Sequence, residues 1–368
     1  MTLNEIVLQD FRNYRHLALE FDEGVNLIVG DNAQGKTNLL EAVAYLGSGK
    51  SFRTQRSNEL VRLGADFADL SGSVYSQERN QYLRWVLFPA ARPRQLHWNG
   101  IKRKSAGEIV GVLQTVLFCP EDLMVLKTGA AARRRLGDHA LCQLRPNYEA
   151  ALTEYNRILD QKSRILKDRF ENPRVVEILP EYNLRLCQVG ALLISYRARF
   201  YEGLGKAAAV YHSHFSGGAE EFLLQYKTVS TVTDPFAPIA KLQEELMDHL
   251  ESHQRAELET AQCLTGPHKD DFEVSLSGIN LKSYGSQGQT RTAAISLKLA
   301  QRELMGRESG EIPVLLLDDV LSELDPGRQD FVLNQISEGQ VFITCCEPGQ
   351  FTKLGKNIEV KSGQIIHE

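Results

Sequence analysis

The sequence predicts an α/β fold in which a long helical region interrupts one domain built on a mixed β-sheet. Three observations support this prediction: strand-like segments near both ends of the chain, a glycine-rich loop between an early strand and a helix, and a seven-residue apolar rhythm in the middle. We expect the first part of the β-sheet domain over residues 1–120, a helical insertion domain over 121–261 and the second part of the β-sheet domain over 262–368.

Bulk properties restrict the class of protein. The chain has 368 residues, of which 42% are hydrophobic, and this is enough to form well-packed cores. No segment approaches the roughly 18 consecutive apolar residues of a membrane span, and residues 1–5 do not resemble the start of a signal peptide. The six cysteines form neither a C-x-x-C pair nor a cluster with histidine. We therefore expect a globular cytoplasmic protein with reduced cysteines and no membrane partner.

The first predicted elements are three strands, a glycine loop and a helix. Apolar and polar residues alternate over residues 3–11 and again over 17–21, and a mainly apolar run follows at residues 25–29. After the glycine loop, residues 38–46 carry apolar side chains at helical spacing. The unit is therefore a strand, a glycine loop and a helix in direct succession.

The glycine loop fits the phosphate-binding pattern G-x-x-x-x-G-K-[ST]. Its glycines allow backbone N–H groups to wrap phosphate oxygens, and the following helix adds the positive end of its dipole. Lys36 is expected to meet the β- and γ-phosphate oxygens of ATP, and Thr37 to ligate Mg²⁺. A plain glycine turn is the alternative interpretation. The predicted ATP-binding residues are Gly30, Asp31, Asn32, Ala33, Gln34, Gly35, Lys36 and Thr37.

A pair of acidic residues ends a predicted buried strand. Residues 312–317 are Ile-Pro-Val-Leu-Leu-Leu, and Asp318 and Asp319 follow at the strand end where α/β sheets place their ligands. We expect Asp318 to be the carboxylate ligand of Mg²⁺ and Asp319 to orient or deprotonate the attacking water. Two acids after a strand could instead cap the next helix.

A third motif, Gly-Ser-Gln-Gly-Gln at residues 285–289, precedes a predicted helix. Ser286 is at minimum the N-cap of that helix. The same geometry aims N–H groups and a hydroxyl outward, which suits the γ-phosphate of an ATP held by another subunit. Ser286 is therefore a candidate catalytic residue beside Lys36 and Asp319.

The order of these motifs along the chain resembles that of the ABC-type ATPases. In such a head, residues 285–289 are the signature loop, 314–319 the Walker B strand and 323–325 the D-loop. The resemblance implies two heads that sandwich two ATP molecules. We therefore expect an ABC-type, SMC/Rad50-like P-loop ATPase head that forms an ATP-dependent homodimer.

Within that superfamily the chain resembles the RecF family over essentially its whole length. The segment at residues 10–14, Asp-Phe-Arg-Asn-Tyr, is shared with SMC and Rad50 heads, where the arginine lies near the nucleotide phosphates. The resemblance thus makes Arg12 a candidate nucleotide contact. The segments more particular to RecF are 118–123, Gly129 followed by Arg133, Arg134 and Asp138, and 265–271.

The resemblance implies a function in recombinational DNA repair. A RecF-like protein binds single-stranded and double-stranded DNA, with junctions as a further candidate, dimerises on ATP, and hydrolyses ATP slowly in a DNA-dependent manner. RecR and RecO are the implied partner proteins. Gap repair, replication restart and SOS induction are the implied processes.

Several positions depart from the ABC pattern. Asp319 stands where most ABC enzymes have glutamate, and its side chain is one methylene shorter. Because water positioning is sensitive to distance, this residue predicts slow hydrolysis. Residues 344–347 are Thr-Cys-Cys-Glu where most heads have a switch histidine, and Ala130 stands where the family usually has proline. We assign no γ-phosphate sensor and no Q-loop glutamine.

The middle region predicts an antiparallel helical hairpin. Apolar residues recur in steps of three and four over residues 179–200 and, less regularly, over 152–166, and Asn172-Pro173 is a helix stop between them. Each arm is about 20 residues, or about 30 Å, long. Ordinary core helices of a separate bundle would give the same pattern. Basic residues in the hairpin are Arg157, Lys162, Arg164, Lys167, Arg169 and Arg174.

Two surfaces are candidates for DNA contact: that hairpin and the basic segment at residues 89–104 around Trp98. A solvated helix face explains the mixed charge of the hairpin equally well. Two other function classes stay open. One is the ATPase subunit of a membrane transporter, and the other is a nucleotide-bound scaffold without turnover, which the shorter Asp319 would allow.

Overall fold

A computed structural model describes residues 1–89, 92–336, 338–346 and 349–367. The chain forms two compact units. The head unit contains residues 1–124, 142–144 and 291–368, and the helical unit contains residues 125–141 and 145–290. The domain boundaries predicted after residues 120 and 261 stay a prediction, since compactness alone does not establish independent folding.

Strands concentrate at the two ends of the chain, as the alternating pattern predicts. In the described ranges they are β1 Thr2–Phe11, β2 Tyr14–Glu20, β3 Val25–Val29, β4 Ala68–Ser76, β5 Arg79–Leu87, β6 Gln95–Trp98, β7 Ile101–Arg103, β8 Thr115–Phe118, β9 Phe222–Lys227, β10 Asp271–Leu276, β11 Ile279–Asn280, β12 Val314–Asp318, β13 Val341–Cys345, β14 Lys356–Lys361 and β15 Gln364–His367.

The helices lie mainly in the middle of the chain. They are α1 Lys36–Ser48, α2 Ala130–Leu144, α3 Pro146–Asp168, α4 Leu179–Ser216, α5 Ile239–Thr260, α6 Leu281–Tyr284, α7 Gln287–Ser309 and α8 Pro326–Asn334, with short 3₁₀ turns between some of them. None of the helices in the described ranges is both long and apolar enough to cross a membrane.

One sheet of the head unit has the strand order β15-β14-β3-β13-β12-β8. β12 runs parallel to both β8 and β13, and β13 runs parallel to β3. Since parallel strands end at the same edge of a sheet, the pairing of Asp318 with Thr344 and of Cys345 with Val29 brings three strand ends together. The glycine loop at residues 30–37, called the P-loop below, begins at this edge directly after Val29.

A second, antiparallel sheet has the order β2-β1-β4-β5-β6-β7. Helix α1 contacts strands of both sheets, and its apolar residues Leu39, Leu40, Val43 and Leu46 are fully buried. The buried indole of Trp85 donates a hydrogen bond of 3.1 Å to the Leu46 carbonyl, so the polar group of this side chain is also satisfied. The helix that follows the P-loop is therefore fixed by a common core.

The predicted helical hairpin is present in the helical unit. α3 and α4 pack against each other, and a ten-residue connection at 169–178 joins them. The Asn172 side chain accepts a hydrogen bond from the Arg174 amide. The interruption between the two helices therefore lies where the Asn-Pro pair predicts it. α4 spans 38 residues, so it is longer than the predicted arm.

The sequence pattern missed strand β9, which lies inside the segment predicted as helical. It pairs antiparallel with β10, and β10 pairs with β11 in a three-stranded sheet. A six-residue strand whose partner lies more than 40 positions away has little local signal, because its hydrogen bonds are made only after folding.

Buried charges join the helices of the helical unit to this sheet. Arg197 is almost fully buried and binds Asp138 at 2.9 Å and Asp270 at 3.0 Å. Arg133 makes a bidentate ion pair with Asp271, with distances of 2.6 and 2.7 Å. Removal of one partner from such a pair costs about 3–5 kcal/mol because an uncompensated charge stays buried. The segments that carried the family resemblance therefore stabilise this unit.

Candidate nucleotide-binding site

The P-loop has a backbone that turns repeatedly through positive φ angles. Gly30, Ala33 and Gly35 have φ of 156°, 64° and 121°. A Cβ atom on Gly30 would collide with the Val360 carbonyl oxygen, and one on Gly35 would collide with the Asn13 side chain. Gly30 is thus required by the close approach of β14 and by its conformation, and Gly35 is required mainly by its positive φ.

Lys36 folds back over the loop that precedes it. Its side chain is 6% exposed, and its Nζ donates to the carbonyl oxygens of Gly30 at 2.6 Å and Asp31 at 3.0 Å. The Cys346 Sγ lies 3.5 Å from the same Nζ and donates to the Asn32 side-chain oxygen at 3.0 Å. The ammonium group is therefore held at the loop by backbone carbonyl oxygens, and its contact with phosphate stays a prediction.

Thr37 and Asp318 lie side by side at the edge of the parallel sheet. Thr37 Oγ1 donates to Asp318 Oδ1 at 3.0 Å, and Thr344 Oγ1 donates to the same oxygen at 2.9 Å. Burial raises the pKa of Asp318, and the two hydroxyl hydrogen bonds oppose that increase. One hydroxyl and one carboxylate fit Mg²⁺, because this ion usually takes one or two protein ligands and completes its shell with phosphate oxygens and water.

Asp319 follows directly and occupies the left-handed region, with φ of 55°. Its amide donates to Thr344 Oγ1 at 2.8 Å, and its carbonyl accepts from the Ser322 hydroxyl at 2.6 Å. The backbone of Asp319 is thus fixed on both sides. Within the described ranges its carboxylate has no hydrogen-bond partner, so it is available to a water molecule.

The Arg12 guanidinium forms an ion pair within the protein. It makes two hydrogen bonds of 2.8 Å to the carboxylate of Glu41, which is fully buried in α1, and a third of 2.9 Å to the Glu59 carbonyl. Arg53 approaches the same carboxylate at 3.7 Å and donates to the Asn38 side chain at 2.6 Å. The nucleotide contact of Arg12 stays a prediction, and it would require this ion pair to open or to share its donors.

Ser286 belongs to the helical unit, whereas the head unit brings together Lys36, Thr37, Asp318 and Asp319. Ser286 Oγ accepts from the Gln289 amide at 3.2 Å, and the Gln289 side-chain oxygen accepts from the Ser286 amide at 3.1 Å. This reciprocal pair is a capping box at the start of α7. The local contacts of Ser286 are therefore those of an N-cap, and its role toward nucleotide stays a prediction.

Sequence reasoning missed several residues around the P-loop. Asn13 and Tyr14 both bind P-loop carbonyl groups, although only the arginine of their motif was interpreted. Glu41 looked like an ordinary helix residue, and Cys346 stood out only as a replacement for histidine. Glu347, the last residue of the Thr-Cys-Cys-Glu segment at 344–347, lies outside the described residues.

Some basic residues of the two candidate DNA surfaces are buried or bound within the protein. Lys162 does not belong to the basic surface of the hairpin, because it is fully buried and forms an ion pair of 2.6 Å with Glu257. In the segment 89–104, Arg94 binds the Tyr45 hydroxyl and the Gly49 carbonyl. The exposed basic residues that remain in the two surfaces are Arg92, Lys102, Lys104, Arg157, Arg164, Lys167 and Arg174.

Comparison with known proteins gives relatives over the full chain. A family model described as RecF/RecN/SMC N terminal domain matches residues 2–367. The DNA replication and repair protein RecF of Agathobacter rectalis is 38% identical over 369 residues, which is 99% of each chain. RecF of Acetivibrio thermocellus is 36% identical over 372 residues and 100% of each chain.

Solved structures agree with these relatives. A structure of the recombination mediator protein RecF-ATPrS in the RecFOR pathway has a TM-score of 0.92 at 33% identity, over 99% of this chain and 97% of that one. A RecF-ATP structure has a TM-score of 0.91 at 34% identity, over 100% and 97%. The Pyrococcus furiosus Smc head, at a TM-score of 0.56 and 17% identity over 98% and 93%, shares the fold. The predicted ABC-type, SMC/Rad50-like head is confirmed, and the chain belongs to the RecF family of DNA replication and repair proteins.

Proposed function

We propose that this chain binds ATP with Mg²⁺ and hydrolyses it slowly while a homodimer is bound to DNA. The observation that carries the proposal is the hydrogen bond of 3.0 Å between Thr37 and Asp318. This bond supports a magnesium site, because a P-loop hydroxyl and a strand-end carboxylate lie close enough for one Mg²⁺ to contact both. The RecF-ATP relative supports ATP as the nucleotide.

Each of the four site residues in the head unit has its own role in this proposal. Lys36 exchanges the Gly30 and Asp31 carbonyl oxygens for the β- and γ-phosphate oxygens of ATP. Thr37 and Asp318 would hold Mg²⁺, which would neutralise charge on the phosphates. Asp319 accepts a hydrogen bond from the attacking water, since its carboxylate follows the metal ligand and its backbone is fixed by Thr344.

The second part of the proposal is a dimer that completes the site. Ser286 at the start of α7 offers a hydroxyl and the positive end of a helix dipole to the γ-phosphate of an ATP on the partner subunit. ATP thereby bridges the two heads of the dimer, and ATP hydrolysis allows the two heads to separate. The shorter side chain of Asp319 makes that separation slow, because the carboxylate reaches less far toward the water.

DNA is the nucleic acid that we propose the protein binds, and RecR and RecO are the proposed partner proteins. The DNA-repair description of the relatives supports this assignment, and so do the exposed lysines and arginines of the two candidate surfaces. We place the protein in the cytoplasm, in gap repair, replication restart and SOS induction. Family membership makes a transporter subunit the weaker candidate, whereas a scaffold without turnover needs an experiment.

Phosphate release measured with and without DNA tests the proposal. The wild-type protein should release phosphate slowly from Mg²⁺-ATP and faster when DNA is added. Lys36→Ala should abolish ATP binding, because the loop amides alone do not offset the charge of the triphosphate. Tight ATP binding by a folded Lys36→Ala variant would contradict the P-loop assignment. ATP binding by the wild type without any phosphate release would favour the scaffold.

A further inference from the structure

The amide groups that face phosphate in a P-loop are oriented by the carbonyl groups of the same peptides. A trans peptide points its C=O and its N–H in opposite directions, and the described ranges contain no cis peptide. A partner that binds the carbonyl from one side therefore aims the next residue's amide toward the other side. In this loop, the carbonyls of Gln34 and Gly35 control the amides of Gly35 and Lys36.

These amides are unpaired at the start of α1. The backbone N–H groups of Gly35, Lys36 and Thr37 donate no hydrogen bond to any residue in the described ranges, as expected for the first turn of a helix. A row of unpaired amides binds an anion well only if its direction is fixed beforehand. The affinity for phosphate therefore depends on what holds the carbonyl groups behind them.

Tyr14 binds the Gly35 carbonyl from the core. Its hydroxyl donates a hydrogen bond of 3.0 Å to the Gly35 oxygen, and its side chain is fully buried. The first turn of α1 uses the same oxygen, because the Leu39 amide donates to it at 3.0 Å. Two donors thus fix this peptide: Leu39 lies in α1 itself, and Tyr14 lies in β2.

Asn13 and a turn near the other end of the sequence bind the Gln34 carbonyl. Asn13 Nδ2 donates to that oxygen at 3.0 Å, and the Gly363 amide donates to it at 2.9 Å. Gly363 lies in the turn between β14 and β15, with φ of 72°, and a Cβ atom there would come within 2.7 Å of the Asn13 carbonyl oxygen. The turn therefore approaches the Asn13 backbone too closely for a larger residue.

The same turn also holds the Gln34 side chain. Gln34 Oε1 accepts from the Ser362 amide at 2.7 Å and lies 3.3 Å from the Ser362 hydroxyl. Gln34 is one of the variable positions of the phosphate-binding pattern, so the pattern requires no particular side chain there. Its side chain and its carbonyl are nevertheless both bound by Ser362 and Gly363.

We propose that Tyr14, Asn13 and the Ser362-Gly363 turn are positioning residues for ATP binding, which hold the P-loop carbonyls so that the Gly35 and Lys36 amides face the phosphates. The inference rests on the proposed function, because it assumes that this loop binds ATP. It gives the Asn-Tyr half of the N-terminal motif and the β14–β15 turn one shared role, which is the preorganisation of a single anion site.

Tyr14→Phe tests the proposal, with Tyr45→Phe as the matched control. Both tyrosines are buried in the core around α1, but the Tyr45 hydroxyl accepts from Arg94 and binds no P-loop carbonyl. We expect Tyr14→Phe to weaken ATP binding about fivefold, the effect of one hydrogen bond, and Tyr45→Phe to leave the affinity unchanged. Thermal unfolding without ATP should show comparable losses in the two variants. A titration with a fluorescent ATP analogue measures both affinities.

Two further variants test the other contacts without disturbing the core. Asn13→Ala changes an exposed residue, and Gln34→Met keeps the length of the side chain but removes its acceptor. Each should weaken ATP binding by about fivefold.

The outcomes separate this inference from the proposed function. If the wild type binds ATP and Tyr14→Phe, Asn13→Ala and Gln34→Met bind it equally well, the positioning role is wrong and the P-loop assignment stands. Equal losses in Tyr14→Phe and Tyr45→Phe would also overturn the inference, because core stability would then explain both. Absence of ATP binding by the folded wild type would overturn the proposed function, and this inference with it.

Discussion

Thr37 and Asp318 are 281 positions apart in the chain and are joined by a hydrogen bond of 3.0 Å between Oγ1 and Oδ1. Parallel pairing of β3, β13 and β12 produces this contact, since it brings the ends of these strands to one edge of the sheet. Asp318 is buried there beside hydroxyl groups, and its ionised form lacks a cation among its hydrogen-bond partners in the described ranges. Function and stability therefore conflict at this residue.

Asp318→Asn should stabilise the protein without nucleotide and abolish the effect of Mg²⁺-ATP. Burial raises the pKa of Asp318 in the folded state, so ionisation destabilises folding as pH rises above the unfolded value near 4. The unfolding temperature of Asp318→Asn should exceed that of the wild type at pH 7.5, and the difference should shrink toward pH 4. Addition of Mg²⁺-ATP should raise the unfolding temperature of the wild type alone. A variant that gains as much from Mg²⁺-ATP would contradict the metal assignment.

Asp319→Asn should keep ATP bound while hydrolysis falls by about 100-fold or more. Asparagine tolerates the left-handed backbone of Asp319 at φ of 55°, so the loop should keep its shape. The amide cannot accept a proton from water, and the ATP-bound dimer should persist longer. Phosphate release and dimer lifetime check both statements. Hydrolysis at the wild-type rate would show that Asp319 is not the catalytic carboxylate.

Ser286→Arg should separate the cap role from the dimer role. As an N-cap alone, Ser286 contributes about 1 kcal/mol, and its loss would leave ATP-dependent behaviour intact. In the proposed dimer, the bulk of arginine keeps the heads apart, so the variant should bind ATP as a monomer.

Sedimentation with ATP distinguishes the two roles of Ser286. Ser105→Arg is the matched control, because Ser105 is also the serine of a capping box and lies outside the signature loop. The control should dimerise like the wild type. Equal dimerisation of Ser286→Arg and the wild type would refute the ATP sandwich even if the P-loop binds ATP.

DNA affinity should fall steeply as salt increases, because binding without sequence preference depends on lysine and arginine contacts that release counterions. Lys102→Ala/Lys104→Ala and Arg164→Ala/Lys167→Ala remove exposed charges from the two candidate surfaces. The double variant in the true binding surface should reduce the slope of log affinity against log salt by about 2, and the other should not change it. Affinity that does not depend on salt would exclude both surfaces.

Acid should destabilise the helical unit through His268. Desolvation lowers the pKa of this histidine to about 4, and its ring lies between the Tyr155 hydroxyl at 2.7 Å and the Cys263 carbonyl at 3.0 Å. In the neutral form Nε2–H donates to the carbonyl and Nδ1 accepts from the tyrosine, so protonation of Nδ1 removes the acceptor of the Tyr155 hydroxyl.

The sign of this pH effect follows from the lowered pKa. Between about pH 6.5 and 4 the unfolded chain binds a proton that the folded protein excludes, so stability falls as pH falls. The loss from pH 7 to pH 5 should be about 2 kcal/mol. His268→Gln should unfold with a weaker dependence on pH over that interval. An unchanged pH dependence in denaturant unfolding of this variant would contradict the assignment.

The candidate site was predictable to the extent that its residues lie next to each other in sequence or end a strand. The P-loop pattern, the strand before it and the helix after it are local, and the same holds for the two acids after β12. Arg12 was different, because its motif is local but its partner Glu41 is 29 positions away. Helical periodicity predicts Lys162 on a basic surface, because it does not reveal that Glu257 pairs with this lysine.

The sequence alone determined the α/β class, the P-loop with its strand and helix, the acidic pair at a strand end, the helical hairpin and the family. Each of these depends on periodicity, turn residues or short motifs, which short-range sterics and hydrogen bonds impose on neighbouring residues. Tertiary structure decided which distant groups meet: Thr37 with Asp318, Tyr14 with Gly35, Gln34 with Ser362, and Arg197 with Asp138 and Asp270. These contacts form only when β-strand pairing and the burial of apolar faces have fixed the chain, because a polar group loses its water there and must then find whichever partner the fold supplies.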